Sequence, residues 1–159
     1  MTKADAAEFL NLEYRVAEYF EPRRNLVVPN LSWGLGFGHE LDLAVVSASG
    51  YLQEIELKTS IADLRADARK RHNHIDNRNR IRALWFAVPK RILEPALPLI
   101  PAPAGILCVD DQVVTVIRRP GIIKGAKPLD ANEVEHLYRL AAMRIWTLKA
   151  TLLRRLEAR

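Results

Sequence analysis

Two alternating runs joined by a tight turn constrain this sequence more than any other feature. His39 to Ser47 is followed by Ser49-Gly50 and then by Tyr51 to Thr59. Alternation with a period of two is the mark of a strand, because successive side chains leave opposite faces. A Ser-Gly turn between two such runs makes them an antiparallel hairpin. In the first run Leu41 and Leu43 share one face, and Glu40 and Asp42 the other. In the second, Ile55 and Leu57 oppose Glu54, Glu56 and Lys58. Closing the hairpin brings carboxylates from neighbouring strands to one side with an ammonium group beside them. A merely solvated strand face would show the same alternation, so the functional reading rests on the mixture of charges.

Carboxylates that converge repel one another, and they stay ionised most readily when a cation fills the gap. Asp42 and Glu56 are the candidate ligands, and the backbone carbonyl of Ile55 is a further hard oxygen. An oxygen-only set suits magnesium, with manganese as its substitute. Phosphodiester hydrolysis needs charge on the scissile phosphate neutralised and a water made more nucleophilic. Lys58 is placed to orient or help deprotonate that water and to contact the phosphate.

The remaining chain reads as an alternation of helices and strands. Phe9, Leu12, Val16 and Phe20 recur at helical spacing from Ala4 to about Phe20, and Glu13 lies at the edge of that stripe, facing both a core and a cleft. Arg24 to Pro29 is a short strand, and Gly34-Leu35-Gly36-Phe37-Gly38 a loop or distorted strand. Ser60 caps a helix running to about Asn77 with Ile61, Leu64, Ala68 and Ile75 facing inward. Leu84 to Val88 is a buried strand, and prolines 95, 98, 101 and 103 keep the next stretch irregular or hold a short helix. Gly105 to Val109 and Gln112 to Arg118 form another strand pair. Asp130 or Asn132 caps a final helix with Val134, Leu137, Ala141, Ile145, Leu148, Leu152 and Leu156 on one face. The simplest packing is an α/β fold with a mixed sheet flanked by helices, and residues 1–159 are expected to form one domain.

Charge is unevenly distributed. Residues 1–60 carry five basic and nine acidic side chains, whereas residues 61–91 carry nine and three. Carboxylates to hold metal ions beside bases to hold a phosphate backbone would be a reasonable arrangement in a nuclease. Arg65, Arg69 and His72 recur every three to four residues and are the candidate nucleic-acid contacts, against an ordinary solvated face. Asp63 and Asp67 are read as capping or pairing groups, with an extension of the acidic site as the alternative. His39, His72, His74 and His136 make no zinc set, and His39 is expected on the strand face opposite Glu40 and Asp42, packed or hydrogen-bonded. Trp33 is a candidate for stacking on a base. The only cysteine, Cys108, forms no internal disulfide and points to a reducing setting. No Gly-Lys-Ser/Thr phosphate loop and no serine elbow is present. No run approaches the roughly 20 apolar residues of a membrane span, and the N-terminus has no apolar signal core, so a cytoplasmic chain is expected.

Gly38-His39-Glu40-Leu41-Asp42, followed fourteen residues after Asp42 by Glu56-Leu57-Lys58, resembles the PD-(D/E)XK nuclease superfamily. Glu40-Leu41-Asp42 stands where the pattern has Pro-Asp. Thr59 to Asp67, Phe86-Ala87-Val88-Pro89, Pro103 to Leu107 and Val116 to Arg119 extend the resemblance to the MmcB-like group of DNA-repair endonuclease-type proteins. That resemblance implies a restriction-endonuclease-like sheet, Mg2+- or Mn2+-dependent DNA hydrolysis at Asp42, Glu56 and Lys58, and a role for Glu13 in completing the metal shell. The alternative it leaves open is an inactive or accessory nucleic-acid-binding protein of the same fold. A homodimer is also open, since many such nucleases pair two sites to cut both strands, but no uniquely self-complementary surface is legible.

Overall fold

The computed structural model describes residues 2–32, 35, 36, 39–70 and 79–158, the side chains of 67–70 excepted. Trp33, Gly34, Phe37, Gly38, His72, His74 and Ile75, with the side chains of Asp67, Ala68 and Arg69, lie outside this set. The order is α1 (Lys3–Tyr19), β1 (Leu26–Leu31), β2 (Leu41–Val46), β3 (Leu52–Leu57), α2 (Ile61–Lys70), β4 (Ile81–Pro89), α3 (Leu93–Ala96, between two short 3-10 turns), β5 (Gly105–Asp110), β6 (Val113–Arg118) and α4 (Ala131–Glu157). The six strands lie in one sheet in sequence order. β3–β4 and β4–β5 are parallel, joined through helices, and the other pairs are antiparallel. This is the expected α/β architecture: a mixed central sheet flanked by helices, with restriction-endonuclease-like layering.

Strand alternation sorts most of the core into two faces, but Leu41 and Leu43, expected on one face, fall into opposite clusters, because strict alternation breaks at the start of β2. On one, α1 lays Leu12, Val16 and Phe20 over Leu43, Val45, Ile55, Leu57, Trp85 and Leu107. On the other are two separate apolar clusters. Leu137 and Leu140 of α4 cover Val28, Leu41, Ala44, Val46 and Leu52, while Leu64 of α2 and Ile92, Ala96 and Ile100 around α3 cover Phe86, Val88 and Ile106. Glu54 and Glu56 belong by alternation to this second face, between the two clusters.

Local chemistry sets the boundaries. β1 continues past Pro29 to Leu31, and its edge position explains why a residue without an N–H is tolerated. Gly50 turns the β2–β3 hairpin at φ +81° and donates its N–H to the Ser47 carbonyl at 2.8 Å. Gly105 sits opposite Trp85, where an added Cβ would lie 2.4 Å from the indole. Ser60 Oγ accepts the Asp63 N–H at 3.1 Å as the α2 cap, and Asp130 forms a reciprocal capping box with Glu133 at the start of α4. The α4 stripe departs from expectation. Its first turns are covered by the sheet, but Ile145, Leu148, Leu152 and Leu156 are exposed, because the helix outruns the sheet beneath it.

Candidate functional site

β2 and β3 stay in register from Val46–Leu52 to Leu43–Ile55. One residue further, the Asp42 side chain replaces the ladder: Oδ2 accepts the Leu57 backbone N–H at 2.8 Å. β3 meanwhile remains bound to β4 through the Leu57–Ala87 register and the Lys58 N–H, which donates to the Ala87 carbonyl at 3.0 Å. The parting of β2 from β3 opens a cleft of about 200 Å³ lined by Phe9, Asp42, Leu57, Lys58, Thr59 and Asp63.

Lys58 Nζ lies 2.5 Å from Glu56 Oε2 and 3.6 Å from Asp42 Oδ2. The structure therefore gathers Asp42, Glu56 and Lys58 at one point. Glu56 is 6% exposed. Burial pushes its carboxyl up to about 8 against the pull of Lys58, with the Asp42 and Glu54 charges adding to the rise. Glu13 approaches from α1. Its Oε1 is buried with no hydrogen-bond partner, and burial first, then the Asp42 charge, raises its carboxyl.

Asp42 and Glu56 thus flank one lysine, and Glu13, near enough to feel the Asp42 charge, carries an unsatisfied buried oxygen. Hard oxygen donors of this kind suit a divalent cation, which would favour their ionisation. Ile55, the expected backbone ligand, lies inside the paired register and does not line the cleft, whereas Leu57 does. The backbone carbonyl at the opening is accordingly that of Leu57.

His39 is hydrogen-bonded, as expected, but its placement does not follow from alternation, because strand geometry begins only at Leu41. Its Nε2 meets Glu54 Oε1 at 2.6 Å, and Glu54 is 4% exposed. Ligand-capable atoms of His39, Glu54 and Glu56 all lie within 4.8 Å of one another, and among the described residues this is the group of three whose spacing could hold a metal ion. A polar run, His39–Glu54–Glu56–Lys58–Asp42, thus fills the gap between the two apolar clusters. The signal for Glu54 was available: a carboxylate in the middle of a strand of a buried central sheet needs a buried partner.

Arg91 was also missed. Its guanidinium grips both Glu8 oxygens of α1 at 2.7 and 2.6 Å and the Thr59 carbonyl at 2.7 Å, tying α1 to the loop that lines the cleft. Arg65 is exposed on α2, whose cleft-lining residues are Asp63 and Ala66. The Arg69 side chain and His72 fall outside the described residues. Among the described residues, no helix is long and apolar enough to cross a membrane.

Comparison with known proteins bears on this geometry. A solved structure, "SPO1766 protein of unknown function from Silicibacter pomeroyi", is similar with a TM-score of 0.62 at 20% identity, covering 95% of this chain and 94% of that one, which speaks to the fold alone. No curated protein matches the sequence. The family described as DNA repair protein MmcB-like matches residues 5–151, nearly the whole chain. On that match the chain belongs to the MmcB-like family, a relative of the PD-(D/E)XK proteins.

Proposed function

We propose that this chain, acting as one nuclease-like domain over residues 1–159, hydrolyses DNA phosphodiester bonds with Mg2+ or Mn2+, in DNA repair or processing. The observation that carries the reading is the convergence of Asp42, Glu56 and Lys58 where β2 leaves β3. The family's description as a DNA repair protein supports the substrate class.

Asp42 and Glu56 would hold the cation, with Glu13 and the Leu57 carbonyl as further oxygen donors. When bound, the metal supplies charge neutralisation at the scissile phosphate and lowers the pKa of a bound water. The Leu57 amide fixes the rotamer of Asp42, so one oxygen is spent on the backbone and the other is free for the cleft. Lys58 Nζ lies between Glu56 and Asp42, where its ammonium would be placed to orient the attacking water and to donate to a phosphate oxygen. Thr59 and the start of α2 form the far wall. Arg65 and Arg69 on α2, with His72 beyond it, would track the DNA backbone, consistent with the basic excess of residues 61–91.

The test is cleavage of single-stranded, duplex, nicked and branched DNA with Mg2+ and Mn2+, comparing wild type with Asp42→Ala, Glu56→Ala and Lys58→Ala, folding being checked separately. Metal-dependent cutting by wild type and losses of at least about 100-fold in each variant are expected. Binding without cutting by wild type on every substrate would favour the accessory nucleic-acid-binding alternative.

A further inference from the structure

Glu54 and Glu56 leave the same face of β3 between two apolar clusters, and they are 4% and 6% exposed. Buried carboxylates need a cation or hydrogen-bond donors. Lys58 meets Glu56 and approaches Asp42, and His39 meets Glu54, with Nε2 2.6 Å from Oε1. Among the described residues, one ammonium and one imidazole thus stand against the carboxylates of Asp42, Glu54 and Glu56. A divalent ion would neutralise the excess of negative charge. Ligand-capable atoms of His39, Glu54 and Glu56 already lie within 4.8 Å of one another. Two ligands held at about 2.1 Å from one ion sit roughly 3 to 3.4 Å apart, so small side-chain rotations close the set around it. His39 and Glu54 do not line the cleft that Asp42 and Lys58 line.

We propose that His39, Glu54 and Glu56 form a second metal site, which takes a divalent transition ion such as Mn2+. The imidazole sets the class of ion. A nitrogen donor suits Mn2+, Co2+ or Zn2+, whereas Mg2+ keeps to oxygen ligands and water. Three protein ligands leave positions open for water. Glu56 belongs to this set and to the oxygen donors of the cleft, so an ion held here would fix the carboxylate that Glu56 presents to Lys58. The inference goes beyond the nuclease reading and does not rest on it, because occupancy is measured without DNA.

The experiment titrates the full chain with Mn2+ and detects imidazole nitrogen at the ion by electron spin echo spectroscopy. Wild type is compared with His39→Gln, Glu54→Gln and Asp42→Asn, each shown to melt cooperatively. Gln at position 39 keeps a donor for Glu54, and Gln at 54 keeps an acceptor for His39, so both variants should hold the fold and they probe the site independently. Wild type and Asp42→Asn should show the nitrogen coupling, and it should survive about a tenfold excess of Mg2+. His39→Gln should lose it. Glu54→Gln should weaken binding of the nitrogen-coupled ion by at least about 10-fold, the loss that follows removal of even an outer-shell partner. An absence of nitrogen coupling in wild type, coupling that persists in His39→Gln, or an affinity unmoved by Glu54→Gln would overturn the proposal. Cleavage has no part in the readout, so failure of the nuclease reading would leave this site standing, and the reverse.

Discussion

Asp42 accepts the backbone N–H of Leu57 at 2.8 Å, so one carboxylate both ends the β2–β3 ladder and faces the cleft. Its structural and chemical duties can be separated. Asp42→Ala should remove the bond and leave the Leu57 amide unsatisfied, at a cost of about 1–3 kcal/mol in a urea melt, and abolish cutting. Asp42→Asn keeps an acceptor for the amide but lacks the charge. It should melt close to wild type and still lose cleavage. Equal destabilisation by the two substitutions would mean that the amide bond contributes nothing.

Glu56 makes stability depend on pH in an unusual direction. Its carboxyl, held near 8 by burial, binds a proton in the folded state that the unfolded chain releases near 4.5. Between those values the folded form carries more protons, so this group's contribution to stability falls as pH rises from about 4.5 to 8 and then levels. Glu56→Gln should remove that slope, gaining on wild type by up to a few kcal/mol at pH 8 and little at pH 5. Thermal melts across that range, with and without Mn2+, check this. Mn2+ should stabilise wild type at pH 8 and leave Glu56→Gln nearly unmoved.

Half-buried His39 and buried Glu54 pair at 2.6 Å. His39→Ala leaves Glu54 without that partner and should cost about 3 kcal/mol. The double replacement His39→Ala/Glu54→Leu should recover much of that loss. If the single and double variants melt alike, the pair is not what the buried carboxylate depends on.

Arg91 is 55% exposed on its side chain, so its clamp on Glu8 and Thr59 is screened by water. Arg91→Ala should cost no more than about 1 kcal/mol. Because it links α1, which carries Glu13, to the cleft wall, cutting should fall several-fold more than that stability change explains. An unchanged kcat/KM would show that α1 needs no such tie.

Much of this was legible in the sequence because it follows from period and spacing. The hairpin reading placed Asp42 near Glu56 and Lys58, though Leu41 and Leu43 part to opposite faces against strict alternation; the stripe of Leu12, Val16 and Phe20 located α1, and the capping residues Ser60 and Asp130 marked two helix starts. What escaped depends on contacts between segments distant in sequence. Arg91 reaches back 83 residues to Glu8, and no local pattern encodes that meeting. His39 precedes the strand, so its face could not be read from alternation, and Ile55 was preferred to Leu57 because sequence does not show where two strands part. The α4 stripe reads as core along its whole length, since periodicity reports an apolar face but not how far the sheet beneath it extends.

The most direct measurement of the central claim is Mn2+-dependent cleavage of branched and duplex DNA by wild type and by the near-isosteric variants Asp42→Asn, Glu56→Gln and Lys58→Met, each shown to melt cooperatively. The account requires cutting by wild type that stops on chelation and falls at least about 100-fold in all three variants. Comparable cutting by the folded variants would contradict it.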